Sequence, residues 1–179
     1  MLLLFALLVA GPTQAQAPAT PEVPEPDMAD VESVDAIMAA VYDVISGPAG
    51  EKRDWDRFRS LFHPEAKLIQ TGRNPNTGQG GIGYMSLDDY IRLAGPQLEG
   101  SGFFENELHR VTERFGDVVH IFSTYDSRRK ADDPEPFSRG INSFQLRFDG
   151  TRYWVINIFW QSENQFFPIP EKYLPEHNH

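Results

Sequence analysis

Residues 138–161 read SRGINSFQLRFDGTRYWVINIFWQ, two runs rich in aromatic and β-branched side chains with Asp149-Gly150 between them. Such side chains pack well on a pleated surface, and an Asp-Gly pair readily takes the positive φ angles of a tight turn, so the stretch predicts a β-hairpin. With Asp149-Gly150 as a two-residue turn, Arg139, Ile141, Ser143 and Gln145 share a face with Trp154, Ile156, Ile158 and Trp160. The opposite face then carries Asn142, Phe144, Leu146 and Phe148 with Tyr153, Val155, Asn157, Phe159 and Gln161. Both faces are rich in large apolar groups. A sheet with one wet side alternates apolar and polar residues, so this one is expected to be covered twice: by helices and a pocket on one side, by another subunit on the other.

Working outward, residues 103–114 and 117–127 read as two more long strands turning at Phe115-Gly116, which makes a four-stranded antiparallel meander with the hairpin. Upstream the period changes. Val34, Ile37, Met38, Val41, Val44 and Ile45 fall at helical spacing, with Asp30 as the expected N-cap and Gly47-Pro48 as the stop. A shorter helix starts at the N-cap Asp54 and turns Trp55, Phe58, Leu61 and Phe62 inward, ending at His63-Pro64; residues 66–71 follow as a strand. A third helix opens at Ser86, with Asp89 at the capping-box position, and is expected to stop at Pro96. The fold class is thus α+β: three N-terminal helices packed on a twisted antiparallel sheet curled around a pocket.

Met1 to Ala10 is an apolar run too short to span a bilayer, followed by Gly11, Pro12 and small residues, and reads as a signal peptide over 1–15. Residues 16–30, rich in Pro and Ala, cannot pack a core and read as a linker; the folded domain is expected over 31–163 and a C-terminal tail over 164–179. These features predict a periplasmic or secreted protein, with no membrane insertion after cleavage. The 179 residues contain no cysteine, which excludes disulfides, thiolate metal sites and cysteine nucleophiles. A net charge of -10 opposes binding to phosphate backbones and so argues against nucleic acid as a partner.

The order helix, helix, strand, helix and then four long strands, with DWDRFRSLFHPEAKLI at 54–69 and DGTRYWVINIFW at 149–160, resembles the nuclear transport factor 2-like superfamily, and within it the SnoaL-like bacterial members. The resemblance covers residues 31–163. It implies a ligand held in the cone between bent sheet and helices. It assigns no reaction, because enzymes such as ketosteroid isomerases and scytalone dehydratase share that scaffold with members of no known activity, and their catalytic groups differ.

Several side chains are candidates for chemistry. Gly78-Gln79-Gly80-Gly81-Ile82-Gly83 satisfies the G-x-G-x-x-G pattern, but Asn74-Pro75-Asn76-Thr77 separates it from the strand and the helix starts only at Ser86, so it reads as a loop rather than a pyrophosphate cradle. His109 and His120 lie on adjacent strands, and a simple turn puts them on one face with Glu105, Glu107 and Glu113, either as a histidine-carboxylate base or as cross-strand charge pairs. Tyr125, Arg128, Arg139, Asn142 and Trp160 cluster near strand ends. Arg128 or Arg139 could grip a carboxylate, Tyr125 and Asn142 could donate to a carbonyl, and Trp160 could form an apolar wall; equally, Arg139 could pair with Asp126 or Glu163. The composition and motifs suggest no cofactor and no metal site. The expected role is binding of a small apolar ligand with a polar head by a homodimer. The alternatives are an isomerase, dehydratase or hydrolase with a histidine-carboxylate base, and an assembly module without ligand.

Overall fold

The computed structural model describes residues 23–74 and 76–175; the signal-peptide reading, residues 16–22 of the linker reading and residues 176–179 of the tail reading lie outside them. Four helices and six strands follow in order: α1 (Met28–Val31), α2 (Val34–Ile45), α3 (Trp55–Leu61), β1 (Phe62–Arg73), β2 (Gly80–Met85), α4 (Leu87–Ser101), β3 (Phe104–Phe115), β4 (Val118–Arg128), β5 (Ser138–Phe148) and β6 (Tyr153–Ser162). The strands make one sheet in the order β2-β1-β6-β5-β4-β3. The meander β3 to β6 is antiparallel, as expected, but β1 runs parallel to β6, so the sheet is mixed.

The helices carry their stop and start chemistry in the sequence. Ser33, not Asp30, caps α2, its Oγ accepting from Ala36 N at 3.0 Å. Asp27 caps the single turn of α1, while Asp30 instead receives two hydrogen bonds from Arg57, at 2.8 and 2.9 Å. Asp54 caps α3 and Ser86 with Asp89 forms the capping box of α4, both as the spacing predicts. Pro96 does not stop α4, which continues to Ser101. Beyond the proline Leu98 is buried and Glu99 receives Lys52, Arg53 N and Trp55 Nε1, so packing outweighs the one backbone donor that proline lacks. Gly102 ends the helix at φ 71°, where a Cβ would lie 2.5 Å from Arg129 O.

The core lies between the helices and the inner face of the sheet. Ile37, Met38, Val41 and Val44 of α2 and Phe58 and Leu61 of α3 meet Val119, Ile121, Phe144, Leu146 and Val155, all within a few per cent of complete burial. Removing each such Phe or Leu from water contributes roughly 2 kcal/mol to stability.

Two irregularities change which residues face inward. The β5–β6 turn is centred on Gly150-Thr151, one residue later than expected, because the Asp149 carboxylate collects the amides of Thr151 and Arg152 and the Trp154 indole. A bulge in β6 then shifts the pairing from Leu146↔Val155 to Gln145↔Asn157. A one-residue slip exchanges faces, so Asn142 and Phe144 share a side with Trp160 and Ile158 rather than opposing them. The second bulge lies in β3. Glu113 opposes His120 as expected, but the pairing shifts between Glu107 and His109, and Glu105 opposes Ser127.

The glycine-rich stretch is strand as well as loop. Gly80–Met85 pairs with β1, Thr71 opposite Ile82, which gives Gly78 to Gly83 an edge-hairpin role rather than the loop the sequence suggested. On the outer sheet face the chain lays down its own tail. Thr124 Oγ1 donates to Tyr173 O at 2.5 Å, the Phe122 and Tyr173 rings meet at 4.9 Å, and Ile169 is buried. Phe159, Phe166 and Phe167 stay exposed beside it.

Candidate functional site

A cavity of about 430 Å³ opens between α2, α4 and the inner sheet face. Its walls are mainly apolar, with Val41, Ile45, Leu68, Phe103, Phe144 and Ile158 among them. The exposed members Leu93, Gln97 and Phe137 mark its rim, where Arg129 stacks on Phe137 with its guanidinium 4.0 Å from the ring centre. A concave, mostly apolar space with a few convergent polar groups is the usual form of a small-molecule site.

The polar group that stands out is Glu105. The β3 bulge turns it inward opposite Ser127, and its backbone N–H donates to Ser46 Oγ at 3.0 Å, which ties the strand to the end of α2. The carboxylate accepts from Asn142 Nδ2 at 3.2 Å and from Ser127 Oγ at 3.1 Å. It lines the cavity, and among the described residues no cation pairs with it. Arg128 is engaged with Asp126, Arg139 with Glu163, and Arg110 with Glu107 and Asp35. Desolvation, only partly offset by the Asn142 and Ser127 hydrogen bonds and reinforced by the charge of Asp126, pushes the Glu105 pKa up to about 7.

Behind Glu105 runs a buried polar chain whose donor directions follow from its ends. Ser123 donates to Glu107 Oε1 at 2.6 Å, so its hydroxyl oxygen accepts from Tyr42, 2.8 Å away. The Tyr42 oxygen in turn accepts from Asn142 Nδ2 at 3.2 Å. The Asn142 amide group thus donates to both Tyr42 and Glu105, and every donor in the chain is used. An amide does not relay protons, so Glu105 exchanges its proton through the cavity rather than through this chain.

Tyr125 lines the same cavity, its hydroxyl 3.1 Å from Ser162 Oγ, and burial with the nearby Glu105 charge pushes its pKa up to about 12. It fits because residue 140 is glycine: a Cβ there would lie 2.5 Å from both the Tyr125 hydroxyl and Gln161 O.

Of the residues singled out from the sequence, Tyr125, Asn142 and Trp160 come together on the cavity. Arg128 and Arg139 form ion pairs with Asp126 and Glu163 and do not line it. The histidines do not join Glu105. His120 lies on the outer face, with Nε2 3.0 Å from Ser143 Oγ and Nδ1 3.7 Å from Glu113, and His109 pairs with Thr124, whose side chain meets the tail. The bulge between Glu107 and His109 corrects the single-face arrangement expected for Glu105, Glu107 and the histidines. Glu105 was read only as a carboxylate beside the histidines, and Tyr42 and Ser127 were not singled out. An inward acid among aromatics, Phe103-Phe104-Glu105, was the available signal.

No family model and no curated protein matches the chain. Solved structures do. A cystatin-like-fold protein of unknown function from Nostoc punctiforme aligns over 74% of this chain and 90% of its own, with TM-score 0.54 and 11% identity. A nuclear transport factor 2-like protein of unknown function from Silicibacter pomeroyi covers 73% and 92%, with TM-score 0.51 and 11% identity. A candidate beta subunit of an aromatic-ring-hydroxylating dioxygenase from Novosphingobium aromaticivorans covers 73% and 87%, with TM-score 0.54 and 15% identity. At such identities the likeness extends to architecture and no further. With its helices packed into the curve of the same kind of sheet, the chain has the nuclear transport factor 2-like fold.

Proposed function

We propose that this is an exported SnoaL-like protein that binds a small, largely apolar molecule in the cavity, with Glu105 as the group that orients it. The observation that carries this reading is a carboxylate, with no cationic partner among the described residues, in the wall of a mainly apolar space of about 430 Å³. Desolvating a carboxylate is costly, and a fold that needed only a filled core would place an apolar side chain there. The leader-like N-terminus supports export.

Diphenylhexatriene, a neutral apolar fluorophore, tests the cavity. Its emission is expected to rise on addition of the protein and to stay low with Ala94→Trp, which fills the space from α4. Emission that is absent with the natural chain, or unchanged by Ala94→Trp, contradicts the reading. Ala94 is only partly buried, so the variant is expected to fold, which circular dichroism checks.

A second reading rests on the same carboxylate. With a pKa of about 7 and the Tyr125 hydroxyl on the same cavity, Glu105 is suited to take a proton from a bound carbon acid while Tyr125 donates to the developing oxyanion. Proton exchange of a bound ketone with deuterated water would follow the ionisation of Glu105 and vanish in Glu105→Gln. Exchange that persists in the variant rules this out.

A further inference from the structure

The binding reading leaves the chemical class of ligand open, and the surroundings of Glu105 narrow it. We infer that the cavity selects amines: molecules with a protonated nitrogen at one end and an apolar, preferably aromatic, body. This rests on the binding reading and goes beyond it.

The argument is one of complementarity. A carboxylate offers about four acceptor directions, and Asn142 and Ser127 occupy two, both from uncharged donors. Among the described residues no arginine, lysine or histidine pairs with Glu105: Arg110, Arg128 and Arg139 are held by other acids, and Arg129, which lines the cavity, is bonded to Ser101 Oγ and stacked on Phe137 at the rim. The negative field is not confined to the carboxylate. Burial first, and the Glu105 charge second, push the phenols of Tyr42 and Tyr90 well above their ordinary range. Tyr90, Tyr125 and Trp160 line the same space, Tyr90 with one ring face stacked on Phe58 at 5.5 Å. A carboxylate flanked by aromatic rings in an apolar enclosure is the environment in which an ammonium gains both a charge-assisted hydrogen bond and cation–π contact. A ligand carboxylate, by contrast, meets Glu105 with like charge, and Arg129 at the rim is already stacked on Phe137 and bonded to Ser101 Oγ at 2.9 Å.

The preference is tied to pH through one group. Facing Glu105 are Tyr42 from α2, Tyr90 from α4, Glu107 on its own strand and Tyr125 from β4, while the charge of Asp126 reaches it from the other face of β4; β5 and β6 contribute Asn142, Ser138, Trp160 and Ser162, which do not titrate near neutrality. The three phenols stay neutral there, Asp126 is paired with Arg128, and Glu107 with Arg110. Amine selectivity therefore appears as Glu105 ionises and fades as it is protonated.

The test uses 4-phenylbutylamine, 4-phenylbutanol and 4-phenylbutyrate, three ligands of one shape, measured by calorimetry or by displacement of diphenylhexatriene. At pH 8 the amine is expected to bind at least about tenfold more tightly than the alcohol, and the carboxylate most weakly. At pH 5 the amine's advantage is expected to fall to within about threefold, and Glu105→Gln is expected to show that small difference at both pH values. Equal binding of amine and alcohol at pH 8, in a protein whose alcohol binding is blocked by Ala94→Trp, overturns the amine inference and leaves the apolar-cavity reading standing. An amine preference that survives in Glu105→Gln also overturns it, because the selectivity then lies elsewhere. Failure of all three ligands and of the fluorophore overturns both.

Discussion

Between pH 4.5 and 7 the protein is expected to lose roughly 3 kcal/mol of stability relative to Glu105→Gln. A glutamate in the unfolded chain ionises around 4.5, whereas burial raises Glu105 in the folded state to about 7. Below 4.5 both states hold the proton and the group has no differential effect. As pH rises through the window the unfolded chain releases its proton first, so unfolding becomes more favourable, and above 7 the loss is complete. The gap between the two values, at 1.36 kcal/mol per pH unit, sets the size. Other carboxylates work in the opposite sense and at lower pH. Asp30 is held low by the hydrogen bonds from Arg57, and Asp149 by those from Thr151 and Trp154, so they weaken the fold only in acid. The difference between the natural chain and the variant isolates Glu105. Urea unfolding at several pH values measures it; two curves that run parallel from pH 4 to 8 contradict the account.

The second large effect is expected at Arg53, a residue with no role in the chemistry. The residue is 7% exposed and its guanidinium donates to four backbone carbonyls: Ile45 at 3.0 Å, Gly47 at 2.6 Å, Glu51 at 2.8 Å and Leu98 at 3.1 Å. These lie at the end of α2, in the following loop and in the last turn of α4, so one side chain pins together the two helices that wall the cavity. Arg53→Met keeps most of the volume but leaves those acceptors without a donor. At about 1–3 kcal/mol for each buried group left unsatisfied, and with partial rescue by water, the cost is expected near 4 kcal/mol. Arg53→Lys should recover only a fraction, because one ammonium cannot reach all four carbonyls. Thermal unfolding of both variants gives the answer. A loss below about 1 kcal/mol in Arg53→Met means the pin is ornamental.

The helices and the meander were legible because their apolar residues keep one period over many positions. Asp54 and the Ser86 capping box name their helix starts outright. Register was harder to read. Each bulge adds a single residue whose effect is to exchange the two faces beyond it, and nothing in the character of Leu108 or Ile156 marks it as the extra residue of a strand. That is why Asn142 and Trp160 were expected on opposite faces, and why the histidines were grouped with Glu105. The parallel β1–β6 pairing was hidden for another reason: its partners, such as Leu68 and Ile158, lie about ninety residues apart, and no local pattern links them. Arg53 could not be found from pattern at all, since a lone arginine in a polar loop reads as solvated until the carbonyls around it are placed.

The central claim is that a desolvated carboxylate in the cavity changes charge near neutral pH. Titration of the side-chain carboxyl carbon of Glu105 by carbon-13 NMR, assigned by its absence in Glu105→Gln, tests this most directly. A midpoint near 7 that falls when 4-phenylbutylamine is bound is the result the account predicts. A midpoint near 4.5, unmoved by the amine, would show a solvated surface acid and would contradict it.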